Sequence, residues 1–100
     1  MAQSVKNNRS ESQYELEVEG HKALAAYRLN GDRISFYHTE VPEALEGQGV
    51  GSALVKGALA DVREQGLKVV PLCSFVRHYI ETHPEAQDLL AEGSESGADS

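Results

Sequence analysis

The hydrophobic period of the chain changes once, at a glycine-rich segment near its middle, and this change constrains the fold more than any other feature. Before it, apolar and polar residues alternate in the two-residue period of half-buried strands. After it, Val50, Leu54, Ala58 and Val62 recur every four residues, as in a helix with one apolar face. We therefore expect the first half to form a sheet and the second half to supply a helix that covers it.

The first half is predicted to form three strands, over residues 13–19, 23–29 and 33–41. Asn30-Gly31 predicts a type I′ hairpin turn between the last two, because that turn needs φ > 0 at both central residues. With unbroken alternation, Ile34 and Phe36 share a face of the third strand with His38 and Glu40. The three strands then make an antiparallel meander.

The second half is predicted to contain a helix, a short buried strand and two further helical segments, over residues 50–65, 67–72, 75–82 and from 84 onward. Ser74 is a candidate N-cap for the second helix, and Phe75, Val76, Tyr79 and Ile80 are predicted to face the core. The predicted fold class is thus α/β (α+β): a three-stranded antiparallel meander followed by helix-strand-helix, in a mixed sheet.

The two ends of the chain differ in composition from its middle. Residues 1–12 are polar and lack an apolar run, so we predict a flexible arm. Residues 91–100 are rich in Gly, Ser and acidic side chains, which predicts a disordered acidic tail. The folded domain is expected to span residues 13–90.

The charge balance and the cysteine count exclude several classes of protein. Acidic residues outnumber basic ones by 16 to 9, for a formal net charge of −7, and the basic residues are scattered. Nucleic acids and anionic membranes bind clustered basic residues, so we expect neither as a partner. A single cysteine, Cys73, excludes an internal disulfide and fits a cytoplasmic protein. The histidines and Cys73 lack metal-ligand spacing, so no metal is expected.

The glycine-rich segment lies between a predicted strand and a predicted helix, and it comprises Gly47, Gln48, Gly49, Val50 and Gly51. Glycines let a ligand approach the backbone closely, and the first amides of a helix lack internal partners and carry the positive end of its dipole. A phosphate or pyrophosphate is the ligand that such a site fits. The alternative is a tight connection in which the glycines serve packing only. No Gly-Lys-Ser/Thr follows, so the segment is not a P-loop.

Several stretches of the sequence resemble the GNAT N-acetyltransferases. Val41-Pro42 and the run from Gly47 to Leu54 resemble motif A of that family, commonly written Gln/Arg-x-x-Gly-x-Gly/Ala; Glu46 stands where Gln or Arg is usual. A small subfamily of minimal GNAT proteins of similar length is resembled by further stretches together with the glycine-rich segment: His38 to Pro42, Val69 to Val76, Tyr79-Ile80 and His83 to Glu85.

This resemblance implies a cofactor, a substrate class and a set of binding residues. The cofactor is acetyl-coenzyme A, used as a co-substrate without a metal, and the acceptor is an amine that the sequence does not identify. In the family the backbone amides of motif A hold the pyrophosphate of coenzyme A. The implied cofactor-binding residues are Val41, Gly47, Gln48, Gly49, Val50, Gly51 and Ser52.

Four residues are candidate catalytic groups: Cys73, His38, Glu40 and Tyr79. The resemblance implies a cysteine near the acetyl group, where Cys73 either forms an acetyl-enzyme or lines the pocket; a buried, inert thiol is the alternative. His38 or Glu40 is a candidate general base, although a bulge would rotate either one away. The resemblance also implies that Tyr79 protonates the sulfur of coenzyme A, with a core aromatic residue as the alternative.

The chain is shorter than a full-length GNAT protein, and this keeps a second function open. It lacks the helical pair between the first two strands and the final strand pair, which usually build the acceptor pocket. The alternative function is a non-catalytic module that binds acetyl-coenzyme A or a protein partner. A homodimer or another protein is a candidate to complete the open cleft.

Overall fold

The structure, a computed structural model, describes residues 5–91 and contains a five-stranded mixed sheet with helices packed on it. The strands are β1 (Lys6–Asn8), β2 (Gln13–Val18), β3 (His21–Asn30), β4 (Arg33–Glu40) and β5 (Lys68–Pro71). The helices are α1 (Val50–Glu64) and α2 (Ser74–Glu81), and two 3₁₀ segments span Glu43–Leu45 and Pro84–Leu89. The predicted fold class is confirmed.

The five strands lie in chain order across the sheet, antiparallel except for the parallel pair of β4 and β5. Helix α1 makes the crossover between that pair and packs on β2 and β3. The alternation in β2 turns Tyr14 and Leu16 toward α1, whose buried face includes Leu54, Ala58 and Val62. The core thereby fixes the position of α1 against the sheet.

The N-terminal segment is a strand from Lys6 onward, so the prediction of a flexible arm is wrong for the part that the structure describes. Lys6–Asn8 pairs antiparallel with β2. Asn7 accepts a hydrogen bond of 2.6 Å from the Tyr27 hydroxyl, and Asn8 donates one of 2.9 Å to Glu15. These are polar contacts with distant residues, so no hydrophobic period marks the strand in the sequence.

The C-terminal end of the described chain is also ordered by contacts with distant residues. Ala91, the first residue of the predicted tail, is buried, and its amide donates to the Val69 carbonyl at 2.9 Å. The remainder of that predicted tail, residues 92–100, lies outside the described residues.

The last predicted helical segment is a 3₁₀ helix, Pro84–Leu89. Arg63 of α1 holds it by donating to both carboxylate oxygens of Asp88, at 2.7 and 3.0 Å. The guanidinium holds the pKa of the Asp88 carboxyl below its usual value. The segment is therefore attached to α1 by a charge-assisted pair.

The turn with two positive φ angles occurs in a different hairpin from the one that the sequence indicates. Between β3 and β4 the central residues are Gly31 and Asp32, and only Gly31 has a positive φ, of 65°. The predicted type I′ turn centred on Asn30-Gly31 is therefore wrong. Positive φ at both central positions occurs instead in the β2–β3 hairpin, at Glu19 (53°) and Gly20 (82°).

A β-bulge interrupts the alternation of β4 just before the strand ends. Ala26 pairs with His38 while Tyr27 pairs with Phe36, so Tyr37 is the extra residue. Beyond the bulge, Thr39 faces the protein and His38 and Glu40 are exposed. The prediction that His38 and Glu40 share a face with Ile34 and Phe36 is therefore wrong, because the inserted residue reverses the faces.

The start of α2 departs from the prediction in two ways. Its N-cap is Cys73 in an extended conformation, and Ser74 is the first helical residue, so Ser74 does not cap the helix. Phe75 is 40% exposed, whereas Val76, Tyr79 and Ile80 are buried as predicted. The first turn of α2 lies at the edge of the core, which leaves Phe75 facing a cavity.

Candidate functional site

An open cavity of about 790 Å³ lies between the end of β4 and the start of α1. Six of the seven predicted cofactor-binding residues line it: Val41, Gly47, Gly49, Val50, Gly51 and Ser52. Gln48 does not; its side-chain amide turns back to donate to the Ala44 carbonyl at 3.2 Å. The glycine-rich segment is therefore one wall of a cavity and not only a connection between two elements.

The start of α1 presents unused backbone donors to this cavity. Gly49 is the N-cap and has a left-handed conformation with φ of 74°, which a residue with a Cβ adopts only at a cost of about 1–2 kcal/mol. Within the part of the chain that the structure describes, the first helical amide that donates to a carbonyl is that of Ala53, to Gly49 at 3.0 Å. The amides of Val50, Gly51 and Ser52 precede it and lie in the cavity wall.

The electrostatic field at this wall favours an anion. The first turn of α1 contains no acidic residue, and its amides are the positive end of a helix of 15 residues. Lys22 of β3 adds a side-chain cation to the lining, and its Nζ lies 3.6 Å from a Glu15 carboxylate oxygen outside the cavity. Glu40 and Glu46 also line the cavity, and their negative charge opposes that of the backbone amides and Lys22.

Strands β4 and β5 separate before the part of β4 that lines the cavity, which begins at Thr39. Their last paired residues are Phe36 and Pro71, followed by a hydrogen bond of 2.8 Å from the Cys73 amide to the Phe36 carbonyl. Beyond this point, β4 pairs only with β3 within the described residues. The β4 edge that faces away from β3 is therefore open beside the cavity.

Cys73 lies at this point of separation, and Thr39 lies between it and the cavity. The Thr39 hydroxyl is 3.3 Å from the Cys73 sulfur, and Thr39 is a lining residue. Cys73 itself is partly buried and forms the N-cap of α2. The structure thus brings the predicted cysteine next to the cavity and connects it to the lining through Thr39.

His38 and Glu40 form a pair at the surface. His38 Nε2 lies 2.8 Å from Glu40 Oε2, and their side chains are 52% and 61% exposed. Only Glu40 lines the cavity, so the two candidate bases are not placed equivalently.

Tyr79 is not brought to this cavity. Its ring stacks on His83 with centroids 3.8 Å apart, and it lines a separate cavity of about 170 Å³ that also includes Lys56, Arg63 and Glu85. Burial raises the pKa of the Tyr79 hydroxyl, and the nearby Glu85 raises it further. The structure therefore separates Tyr79 from the other three candidate catalytic residues.

Six lining residues are not among the predicted site residues: Lys22, Thr39, Pro42, Leu45, Glu46 and Phe75. Two of them, Pro42 and Glu46, belong to the stretch that resembles motif A. Hairpin register could have located Lys22, because the β3–β4 pairing sets Leu24 opposite Glu40 and so carries Lys22 past the end of β4. Thr39 could be placed in the lining only if the bulge in β4 were known. Phe75 could be placed there only if the orientation of α2 were known.

The described residues were also compared with the requirements of a membrane span and of a metal site. No helix within residues 5–91 is long and apolar enough to cross a bilayer. Over the same residues, no three His, Cys, Asp or Glu side chains cluster in a way that could hold a metal ion.

Comparison with known proteins gives consistent matches across most of the chain. A family model described as GCN5-related N-acetyl-transferase matches residues 13–89. Protein NATD1 of Mus musculus is 34% identical over 88 residues, covering 85% of this chain and 80% of that protein. Human Protein NATD1 is likewise 34% identical over 88 residues, covering 85% of this chain and 78% of that protein.

A solved structure shares the fold over nearly the whole chain. It is the NMR solution structure of a GCN5-like protein from Staphylococcus aureus, described there as a candidate N-acetyltransferase. The two superpose with a TM-score of 0.68 and 30% sequence identity, covering 94% of this chain and 95% of the other.

Proposed function

Because this chain belongs to the GCN5-related N-acetyltransferase family, we propose that it binds acetyl-coenzyme A and transfers the acetyl group to an amine. The proposed binding site is the cavity of which the glycine-rich segment forms one wall. The observation that carries the proposal is that the amides of Val50, Gly51 and Ser52, at the positive end of α1, line a cavity of about 790 Å³ and have no acceptor among residues 5–91. That combination suits a pyrophosphate. Lys22 supplies a second positive group on the same lining.

The rest of the coenzyme would extend from these amides toward Cys73. The open edge of β4 offers backbone groups that no strand pairs with within the described residues, and an amide-containing arm can bond to them. At the end of this path Thr39 and the Cys73 sulfur lie 3.3 Å apart. The acetyl thioester is therefore proposed to lie beside Thr39.

The chemistry is an acyl transfer with a balanced proton count. The amine nitrogen forms a bond to the acetyl carbon, the carbon–sulfur bond breaks, and the sulfur leaves as a thiolate. Glu40 lines the cavity and is proposed to accept the proton that the amine loses, while His38, 2.8 Å from its carboxylate, orients it. Cys73 either contacts the acetyl group or carries it transiently, and an acetylated Cys73 in the mass spectrum would identify the second route.

One observation favours a second candidate function, binding of acetyl-coenzyme A without useful turnover. Tyr79, the proposed donor to the departing sulfur, lines a different cavity, so the leaving group has no identified proton donor among the described residues. Turnover with a panel of amines separates the two functions, because the binding module would bind the coenzyme and release no free thiol. A cytoplasmic location, where a single free cysteine stays reduced, fits both.

The first test compares two glycine substitutions by calorimetric titration with acetyl-coenzyme A. Gly49 and Gly66 have φ of 74° and 72°, and a Cβ at either would meet no atom within 4 Å, so both substitutions to Ala introduce the same backbone strain. Each should lower the free energy of unfolding by about 1 kcal/mol. Only Gly49→Ala should weaken acetyl-coenzyme A, by about tenfold, because only its neighbours face the ligand.

Gly66→Ala is the matched control for that titration, since Gly66 follows α1 at its other end. Equal affinities for the two variants would contradict the proposed site. No binding by the wild-type protein at millimolar ligand would overturn the proposed function.

A further inference from the structure

Phe75 is an aromatic residue whose side chain is only partly buried in the core. It is 40% exposed and is the one aromatic residue among the side chains that line the cavity within the described residues. It belongs to the first turn of α2, two residues after Cys73. A large apolar ring left partly in water at the wall of a ligand cavity is available for contact with that ligand.

The ring packs against the start of α1. Its tip lies over Gly51 so closely that a Cβ at that position would be 2.5 Å from Phe75 Cζ. Gly51 belongs to the wall of unpaired amides, and Phe75 follows Cys73 on α2. A ligand that extends from the amides toward Cys73 therefore runs along a cavity wall that includes the ring.

We infer that Phe75 is a coenzyme-binding residue that contacts the apolar groups of the amide-containing arm between the diphosphate and the thioester. This rests on the proposed function, and it goes beyond it by assigning recognition of the arm to one side chain. The phosphates are recognised by the amides of α1, and the arm by the exposed part of the ring. Gly51 contributes by leaving room for the ring beside the phosphate site.

Leu72 provides a matched control for this inference. It precedes Cys73 by one residue and is 60% exposed, yet it does not line the cavity. Leu72→Ala and Phe75→Ala both truncate an exposed apolar side chain in the same segment, so general effects of truncation should be similar in the two variants. Only Phe75→Ala removes a surface that faces the cavity.

The test titrates each protein with two probes by calorimetry: acetyl-coenzyme A, and adenosine 3′-phosphate 5′-diphosphate, which keeps the diphosphate but lacks the arm. If the arm buries the exposed part of the ring, Phe75→Ala should weaken the affinity for acetyl-coenzyme A about fivefold. Its affinity for the nucleotide without the arm should be unchanged. Leu72→Ala should change neither. Phe75→Leu keeps an apolar side chain to support the fold and should show a smaller loss in the same pattern.

The outcomes separate this inference from the proposed function. If the wild-type protein and Phe75→Ala bind acetyl-coenzyme A equally while Gly49→Ala binds it more weakly, the function stands and the role of Phe75 is refuted. If Phe75→Ala and Phe75→Leu weaken both probes equally, the ring only supports the site and the inference is again refuted. If the wild-type protein binds neither probe, the proposed function fails and the inference with it.

Discussion

The close packing of Gly51 against Phe75 predicts that their effects on stability are coupled. In Gly51→Ala the new Cβ would lie 2.5 Å from Phe75 Cζ, whereas carbon atoms in contact are about 3.5–4.0 Å apart, so the ring must move by about 1 Å or more. Overpacking costs about 1–3 kcal/mol, and the low end applies because the ring is 40% exposed and can shift. Replacing Gly by Ala in a helix gains up to about 1 kcal/mol.

These two terms nearly cancel in the wild-type background, where Gly51→Ala should change the free energy of unfolding by less than about 0.5 kcal/mol. In the Phe75→Ala background the clash is absent, so the same substitution should stabilise the protein by about 1 kcal/mol.

Urea unfolding of the four proteins in this double-mutant cycle measures the difference, and we expect a coupling free energy of about 1 kcal/mol. Additive effects, within about 0.3 kcal/mol, would show that the ring does not rest on Gly51.

Two further predictions concern a buried tyrosine and the proposed base. Burial raises the pKa of Tyr14, and its 2.6 Å hydrogen bond to Asp61 raises it further, so its stabilising effect is complete below about pH 10 and is lost as the pH rises above that value. Urea unfolding at pH 9 and pH 11 should show a smaller decline in Tyr14→Phe than in wild type, and equal declines would contradict this. Glu40→Gln should slow amine acetylation by about 10²–10⁴-fold with little change in acetyl-coenzyme A affinity, whereas Tyr79→Phe should leave the rate within about twofold. The reverse order would reassign the proton transfers to Tyr79.

The parts of the fold that the sequence predicts are those governed by local periodicity. The buried face of α1 and the alternation in β2 place their apolar residues as the structure has them, because each follows from one repeating contact with the core. The glycine-rich segment was recognisable as a candidate anion site because amides without an internal partner follow from any helix start.

The parts that it does not predict depend on single residues or on distant partners. The extra residue at Tyr37 reverses the faces of β4, and nothing in residues 33–41 marks which position is inserted. Strand β1 is held by polar contacts with β2 and β3, which leave no period. Phe75 fits helical spacing as well as its buried neighbour Val76, and only the position of α2 relative to α1 turns it toward the cavity.

The most direct test of the central claim is an amide correlation spectrum of the nitrogen-15-labelled protein during titration with coenzyme A. The proposed site predicts that the largest shifts occur at the amides of Gly49, Val50, Gly51 and Ser52, since these donors would bond the pyrophosphate. Largest shifts around Lys56 and Arg63 would instead place the ligand in the smaller cavity lined by Tyr79. That result, or a spectrum unchanged by the coenzyme, would contradict the account.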